Sequence, residues 1–282
     1  MESLMRIKTG LFAFISILIL SGCGSIVKKP EINHVKSIAL ISVYANDTVP
    51  EKKNRGKVSG WSDEIKQDVS SGFYKIYAKS LQGLGWKVIP MRNVVASKTY
   101  QANFRMATNT DSETANKVGG FLNKLAQMSE SYNYFTPKGL HVMEINRSEL
   151  HTTKYVNGKA VDVRHQLADL AKELNVDAVA VVQIDYCYEG GTFSIMGTGK
   201  GYMTAASTIH AVDRKGNLII DMGDLGRCVD TNNRAESDTG YAMVGGNLVI
   251  SFAKDDTVKK MFMEATEKNA AHTAAQIRKA MK

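Results

Sequence analysis

Asp162, His165 and Asp169 stand at three- and four-residue steps. On a helix they share one face, the arrangement that metal ligands or an acid–base pair require. The plainer reading makes Asp162 a helix N-cap, with His165 on a solvated face between two carboxylates. A second set is Asp185, His210 and Asp221, which converge on one side of a sheet only if three strands align. Register is not readable from sequence, and a wet or partner-binding sheet face is the plainer reading here too. Gly197-Thr198-Gly199-Lys200-Gly201 has the glycines of a phosphate cradle. It falls between two expected antiparallel strands with no helix to follow, so it reads as a hairpin. Nucleophile-elbow, zinc-protease and Walker patterns are missing from the sequence, and no catalytic residue, metal ligand or cofactor is assigned.

The chain has three cysteines. Cys187 and Cys228 lack the close spacing of redox or structural zinc centres and read as a disulfide candidate in an oxidising compartment. With a full strand between them their separation is about two strand spacings, ~9.6 Å. That exceeds the ~7 Å Cα limit for a disulfide, so a bridge requires the sheet to end before them. Tyr132, Tyr134 and Phe135 form an aromatic cluster in an expected insertion, where they either anchor a partner or pack their own loop.

Cys23 ends a basic, apolar leader. Arg6 and Lys8 precede the apolar stretch Leu11 to Leu20, closed by Ser21, Gly22 and Cys23. A membrane-spanning helix needs ~20 apolar residues, so this stretch is a secretory signal and not a span. Leu20-Ser21-Gly22-Cys23 resembles the lipobox of bacterial lipoproteins. The resemblance implies cleavage after residue 22, lipid on the Cys23 thiol, and a chain held on a membrane outside the cytoplasm. An Asp after the lipidated Cys retains such lipoproteins in the inner membrane; Gly24 at that position implies the outer membrane. Removal of residues 1–22 leaves 260 residues with a formal charge of +7. That charge is spread among acids, without the interleaved aromatics of a nucleic-acid surface, so no nucleic-acid partner is expected. With 44% hydrophobic residues and four prolines, residues 35–282 suit a single folded domain, behind a lipidated tether at 23–34.

The elements that must position these groups follow from periodicity. Ile38 to Val43 is an apolar strand, and Ile65, Val69, Phe73, Ile76 and Leu84 mark an amphipathic helix. Trp86 to Val88 and Ile89, stopped by Pro90, read as an edge strand. Another helix is expected from Asp111, and residues 129–161 read as an insertion with a hairpin about Asn157-Gly158. Leu167, Leu170, Ala171 and Leu174 give a helix that passes at Asn175 into a strand from Ala178. Ile184, Tyr186 and Tyr188 alternate with Gln183, Asp185 and Cys187, one apolar face and one polar. Tyr202 to Val212 and Leu218 to about Val229 complete a three-stranded antiparallel meander, and a helix from Val258 to Met281 closes the chain.

These elements make an α/β fold with a mixed sheet flanked by helices. The order, with the join from Leu167 through Asn175 to Val182, resembles the envelope domains of the TolB amino-terminal type, the curli-secretion lipoproteins and the lipoprotein activators of peptidoglycan synthases. The resemblance covers about residues 35–282 apart from 129–161 and implies a non-enzymatic lipoprotein that binds or regulates another envelope component. Two alternatives stand beside it. One is a periplasmic hydrolase with an unrecognised carboxylate and histidine site, for which His165 and His210 are the residues to test. The other is a secretion-channel subunit, which needs membrane strands of ~9–11 residues; the glycine-rich stretch near 190–212 is a poor fit.

Overall fold

The computed structural model describes residues 26–46, 49–50, 57–59, 63–103, 134–143, 145, 147–152, 155–156, 159–160, 162–190, 198–223, 235–244, 247–251 and 255–282. Among them, eleven strands form one mixed sheet. Next to the short edge strand β5 (Lys87–Val88) lies β2 (Ser37–Asn46), whose eight inner residues are all buried. An unbroken apolar run such as this suits a strand covered on both faces. β2 pairs in parallel with β5 on one side and with β9 (Ala178–Gly190) on the other. The meander follows: β9 pairs with β10 (Thr198–Asp213), and β10 with β11 (Leu218–Gly223), both antiparallel. The α/β class and the mixed sheet with its meander are as the sequence indicates.

α2 (Asp63–Gln82) joins β2 to β5 and buries Ile65, Val69, Phe73, Tyr77 and Leu81, a strict four-residue repeat that forms one stripe. α7 (Asp255–Met281) lies beside α2 and covers β10. The ring of Phe262 on α7 stands edge-on to Tyr186 at 4.6 Å, and Thr266 meets the Tyr186 hydroxyl at 2.6 Å. Ile184, Tyr186 and Tyr188 are therefore core, the apolar face of the strand as expected. On the other face lie α4 (Lys98–Asn103), α5 (Arg147–His151) and α6 (Val163–Glu173). α6 ends in a Schellman motif: Val176 N–H donates to Ala171 C=O and Asn175 N–H to Lys172 C=O, with Asn175 at φ 51°. Asparagine tolerates that left-handed conformation better than most residues, which is why the helix stops there and delivers the chain into β9.

Several elements depart from the sequence reading. Residues 23–34 are not simply a tether, because β1 (Ile26–Val27) pairs antiparallel with β11. Lys28 N–H donates to Ile219 C=O at 3.0 Å, and the short helix α1 (Lys29–Ile32) buries Ile32 completely. A two-residue strand has no period to detect. β10 begins at Thr198, inside the glycine-rich stretch; β11 is described over Leu218–Gly223, and the rest of the strand expected to about Val229 lies outside the described residues. The apolar segment from 241 is part of two further strands, β12 (Ala235–Val244) and β13 (Asn247–Ser251). β12 pairs with the first half of β10 and β11 with the second, which leaves residues 204–207 of β10 paired to β9 alone among the described strands. β3 (Val49–Pro50) and β4 (Lys57–Ser59) extend the sheet beyond β13. In the expected insertion, Tyr134–Phe135 form β6, a strand of the main sheet against β2, while β7 (Tyr155–Val156) and β8 (Lys159–Ala160) make the expected hairpin. The helix expected from Asp111 lies outside the described residues. α3 (Met91–Val95) completes the described helices, packed on β2.

Candidate functional site

The β10–β11 turn sets the geometry of the polar face. Asp213 carboxylate oxygens accept from Lys215 N–H, Asn217 N–H and the Asn217 amide at 2.8 Å each, and Gly216 takes φ +84°, open to glycine without strain. From this turn the register runs, through a bulge between Ala211 and Val212, to His210 opposite Asp221. His210 Nδ1 lies 3.2 Å from Asp221 Oδ1. A third residue, His151 at the end of α5, places Nε2 3.0 Å from Asp221 Oδ2. The carboxylate thus stands between two imidazoles from different elements. Its side chain is 3% exposed and His210 is 8% exposed, whereas His151 is 47% exposed. This part of the face is covered rather than wet, because α5 and α6 lie over it. On its far side Asp221 faces Ile26 of β1.

Asp185 does not join the cluster. It lies opposite Ala206, four positions along β10 from His210, a displacement of ~13 Å. Burial raises its carboxyl, and a hydrogen bond from Gln183 offsets only part of that; its Oδ1 has no hydrogen-bond partner among the described residues. Gln183 is itself held by the Tyr44 hydroxyl at 3.0 Å.

Asp162, His165 and Asp169 resolve into a cap and a surface pair. Asp162 Oδ1 accepts from His165 N–H at 3.1 Å and lies 2.8 Å from His165 Nδ1, the N-cap of α6. Burial would raise the Asp162 carboxyl, but the side-chain and backbone bonds to His165 and the nearby Arg164 charge outweigh it and hold it low. Asp169 turns to Lys172 at 2.7 Å on the exposed side. Among the described residues, no three His, Cys, Asp or Glu side chains are placed to hold a metal.

The aromatic cluster is used inside the fold. Phe135 is buried against Phe73 with ring centroids 5.8 Å apart, and half-buried Tyr134 stands edge-on to Tyr44 at 5.1 Å. β6 turns Phe135 to the α2 face, where it packs within the fold. Tyr132 lies outside the described residues. Cys187 is buried opposite Thr204 and is disulfide-bonded. Its partner lies outside the described residues, as do Cys23 and Cys228. Thr204 opens the stretch of β10 that neither β11 nor β12 pairs among the described residues.

No protein-family model matches the chain, and no curated protein matches it significantly.

His151 is the residue of this site that sequence reading misses. It stands far from His210 in the chain, with no helical or strand spacing to either partner, and only the fold brings it to Asp221. The arrangement can do one thing chemically: the buried carboxylate orients an exposed imidazole whose second nitrogen, Nδ1, faces away from it. That is the orienting half of an acid–base device. Among the described residues no helix is long and apolar enough to cross a membrane.

Proposed function

We propose that this chain is a lipoprotein of the outer membrane, anchored through lipid on Cys23, whose α/β domain binds or regulates another envelope component without catalysing a reaction. The observation that carries the reading is the start of the fold. Leu20-Ser21-Gly22-Cys23 ends the leader, and the sheet begins three residues later with Ile26 paired to Asp221. An extended chain covers ~10 Å in three residues, so a lipid on Cys23 holds the domain at the bilayer surface. The disulfide on Cys187 supports an oxidising compartment. The mixed sheet, with α6 feeding β9 through Asn175, supports the likeness to the TolB amino-terminal, curli-secretion and peptidoglycan-synthase-activator domains.

The test is the mass of the protein recovered from membranes. A chain that begins at Cys23 and carries diacylglycerol is expected, and Cys23→Ser is expected to accumulate uncleaved or to leave the membrane fraction. A wild-type chain that is soluble and begins at another residue overturns the reading. Crosslinking in intact cells, with mass spectrometry of what is recovered, then identifies the partner. A hydrolase is the second reading, favoured by one observation, the exposed His151 held by buried Asp221. It predicts hydrolysis of envelope polymers that His151→Ala abolishes and His165→Ala does not.

A further inference from the structure

The charges of the two long helices are unevenly spread. In α2 the acids Asp63, Glu64 and Asp68 stand in the first two turns and none follows, and in α7 no acid follows Glu267. The C-terminal turns of both helices lie together, since the Arg278 guanidinium donates to the Gly83 carbonyl at 2.8 Å. α1 adjoins them through the Lys29 ammonium on a main-chain oxygen of Lys282. Lys87 N–H donates to Lys36 C=O at 2.7 Å, which brings the starts of β5 and β2 to the same end of the sheet. Lys28, Lys29, Lys36, Lys79, Lys87 and Lys279 are therefore gathered at one end. All six are exposed, and none pairs with an acidic side chain among the described residues, Lys29 meeting a main-chain oxygen of Lys282 instead. Helix dipoles favour cations at C-terminal turns, which accounts for Lys79 and Lys279. They give no reason for Lys28, Lys36 or Lys87.

We propose that this basic end is the face laid on the bilayer, bound to anionic phospholipid headgroups. The inference rests on the lipid-anchored reading and adds an orientation to it. Ile26 is two residues from Lys28, or ~7 Å along a strand, and Cys23 lies within ~10 Å of Ile26. That span is long enough for the lipid to reach the plane of Lys28. That nearness matters because salt screens exposed charges beyond ~8 Å. Each basic group near an anionic leaflet strengthens the attraction, and six on one end act together.

Lysine reactivity tests it on the full lipid-bearing chain. The protein is reconstituted into nanodiscs of phosphatidylcholine, or of phosphatidylethanolamine with phosphatidylglycerol, and acylated with a water-soluble reagent. Mass spectrometry then reads the rate at each lysine. Lys28, Lys36, Lys79, Lys87 and Lys279 are expected to react severalfold more slowly in the anionic discs, with the difference lost near 1 M salt, where the screening length falls to ~3 Å. Lys138, exposed in the turn after β6 at the other end of β2, is expected to react alike in both. The double variant Lys79→Glu, Lys279→Glu is expected to abolish protection of Lys36 and Lys87 while the chain stays on the disc through its lipid. Equal rates at the basic end in both discs, or protection of Lys138 instead, overturn the docking and leave the anchor standing. A chain that separates from the discs altogether overturns the anchoring, and the docking with it.

Discussion

Asp177 is the clamp between the parallel strands β2 and β9, and Asp177→Asn is the sharpest probe of how they are held. The residue stands immediately before β9, and its Oδ2 accepts from Lys36 N–H at 2.9 Å, Ser37 N–H at 2.8 Å and Ser37 Oγ–H at 2.9 Å. Asp177 N–H in turn donates to Ser37, at 3.0 Å. Burial works to raise the carboxyl, but the Lys36 and Ser37 donors and the Arg214 charge outweigh it, and the group lies below its ordinary value of 3.8. Hydrogen bonds to a charged acceptor contribute ~1.5–3 kcal/mol each and neutral ones ~0.5–1.5. Three donors on one oxygen are not additive. The amide keeps the shape and one acceptor oxygen, so the expected loss is ~2 kcal/mol at pH 7.

The pH dependence separates a charge effect from a packing effect. Because the folded carboxyl titrates below its ordinary value, its stabilisation is fully present above that value. It is lost as pH falls through the folded pKa. Wild type and Asp177→Asn should therefore differ by ~2 kcal/mol in urea unfolding at pH 7 and converge as the medium is taken below the carboxylate range. Trp86, buried just before β5, supplies a fluorescence signal close to the strands concerned. An unchanged difference between neutral and acid pH would refute the reasoning, since the carboxylate charge would then contribute nothing.

Three other outcomes follow from the geometry. Phe135→Ala should cost ~3 kcal/mol in urea unfolding, the range for a buried aromatic, and a cost below ~1 kcal/mol would mean that the ring is not part of the core. Asp221→Ala leaves buried His210 without its carboxylate and should cost ~2–4 kcal/mol; His151→Ala, at an exposed position, should cost under ~1 kcal/mol. Equal losses for the two would contradict the burial difference between them. Peptide mapping of unreduced protein should recover Cys187 joined to Cys228 with Cys23 lipidated, and two free thiols would contradict the bridge.

The legible parts of this fold are those with a period long enough to repeat. β2 is a run of apolar residues, α2 repeats every fourth position from Ile65 to Leu81, and α6 passes into β9 where Asn175 takes a left-handed conformation. β1 and β6 escaped detection because two residues carry no period, and what holds each is a partner strand remote in the chain. The register of His210 against Asp221 was not legible from the sequence. The turn, where the Asp213 carboxylate organises Lys215 and Asn217, is a local signal that sets Val212 opposite Leu218, but a bulge between Ala211 and Val212 then shifts the pairing by one before His210 meets Asp221. His151 had no such local signal, since its approach to Asp221 depends on how α5 packs beside α6. Asp185 shows the converse: its alternation with Ile184 and Tyr186 places it on the correct face, but alternation carries no information on position along the strand.

With the basic end on the bilayer, the two ends of the sheet acquire different roles. β2 and β9 run in parallel away from the end where Lys36, Lys87 and Asp177 lie. Asp185 is seven residues beyond Ala178, or ~24 Å farther from that end at the rise of a strand. It stands there with Gln183 and Tyr44, its carboxyl raised by burial and one oxygen without a hydrogen bond among the described residues. In the proposed orientation Asp185, midway along β9 and level with the end of β2, is thus held away from the bilayer. The basic end carries instead the contacts of β1 on β11, α1 on α7 and the Asp177 clamp. A domain anchored in this way presents its distal strand ends to the space beyond the bilayer, and a partner embedded in the same leaflet would meet its sides.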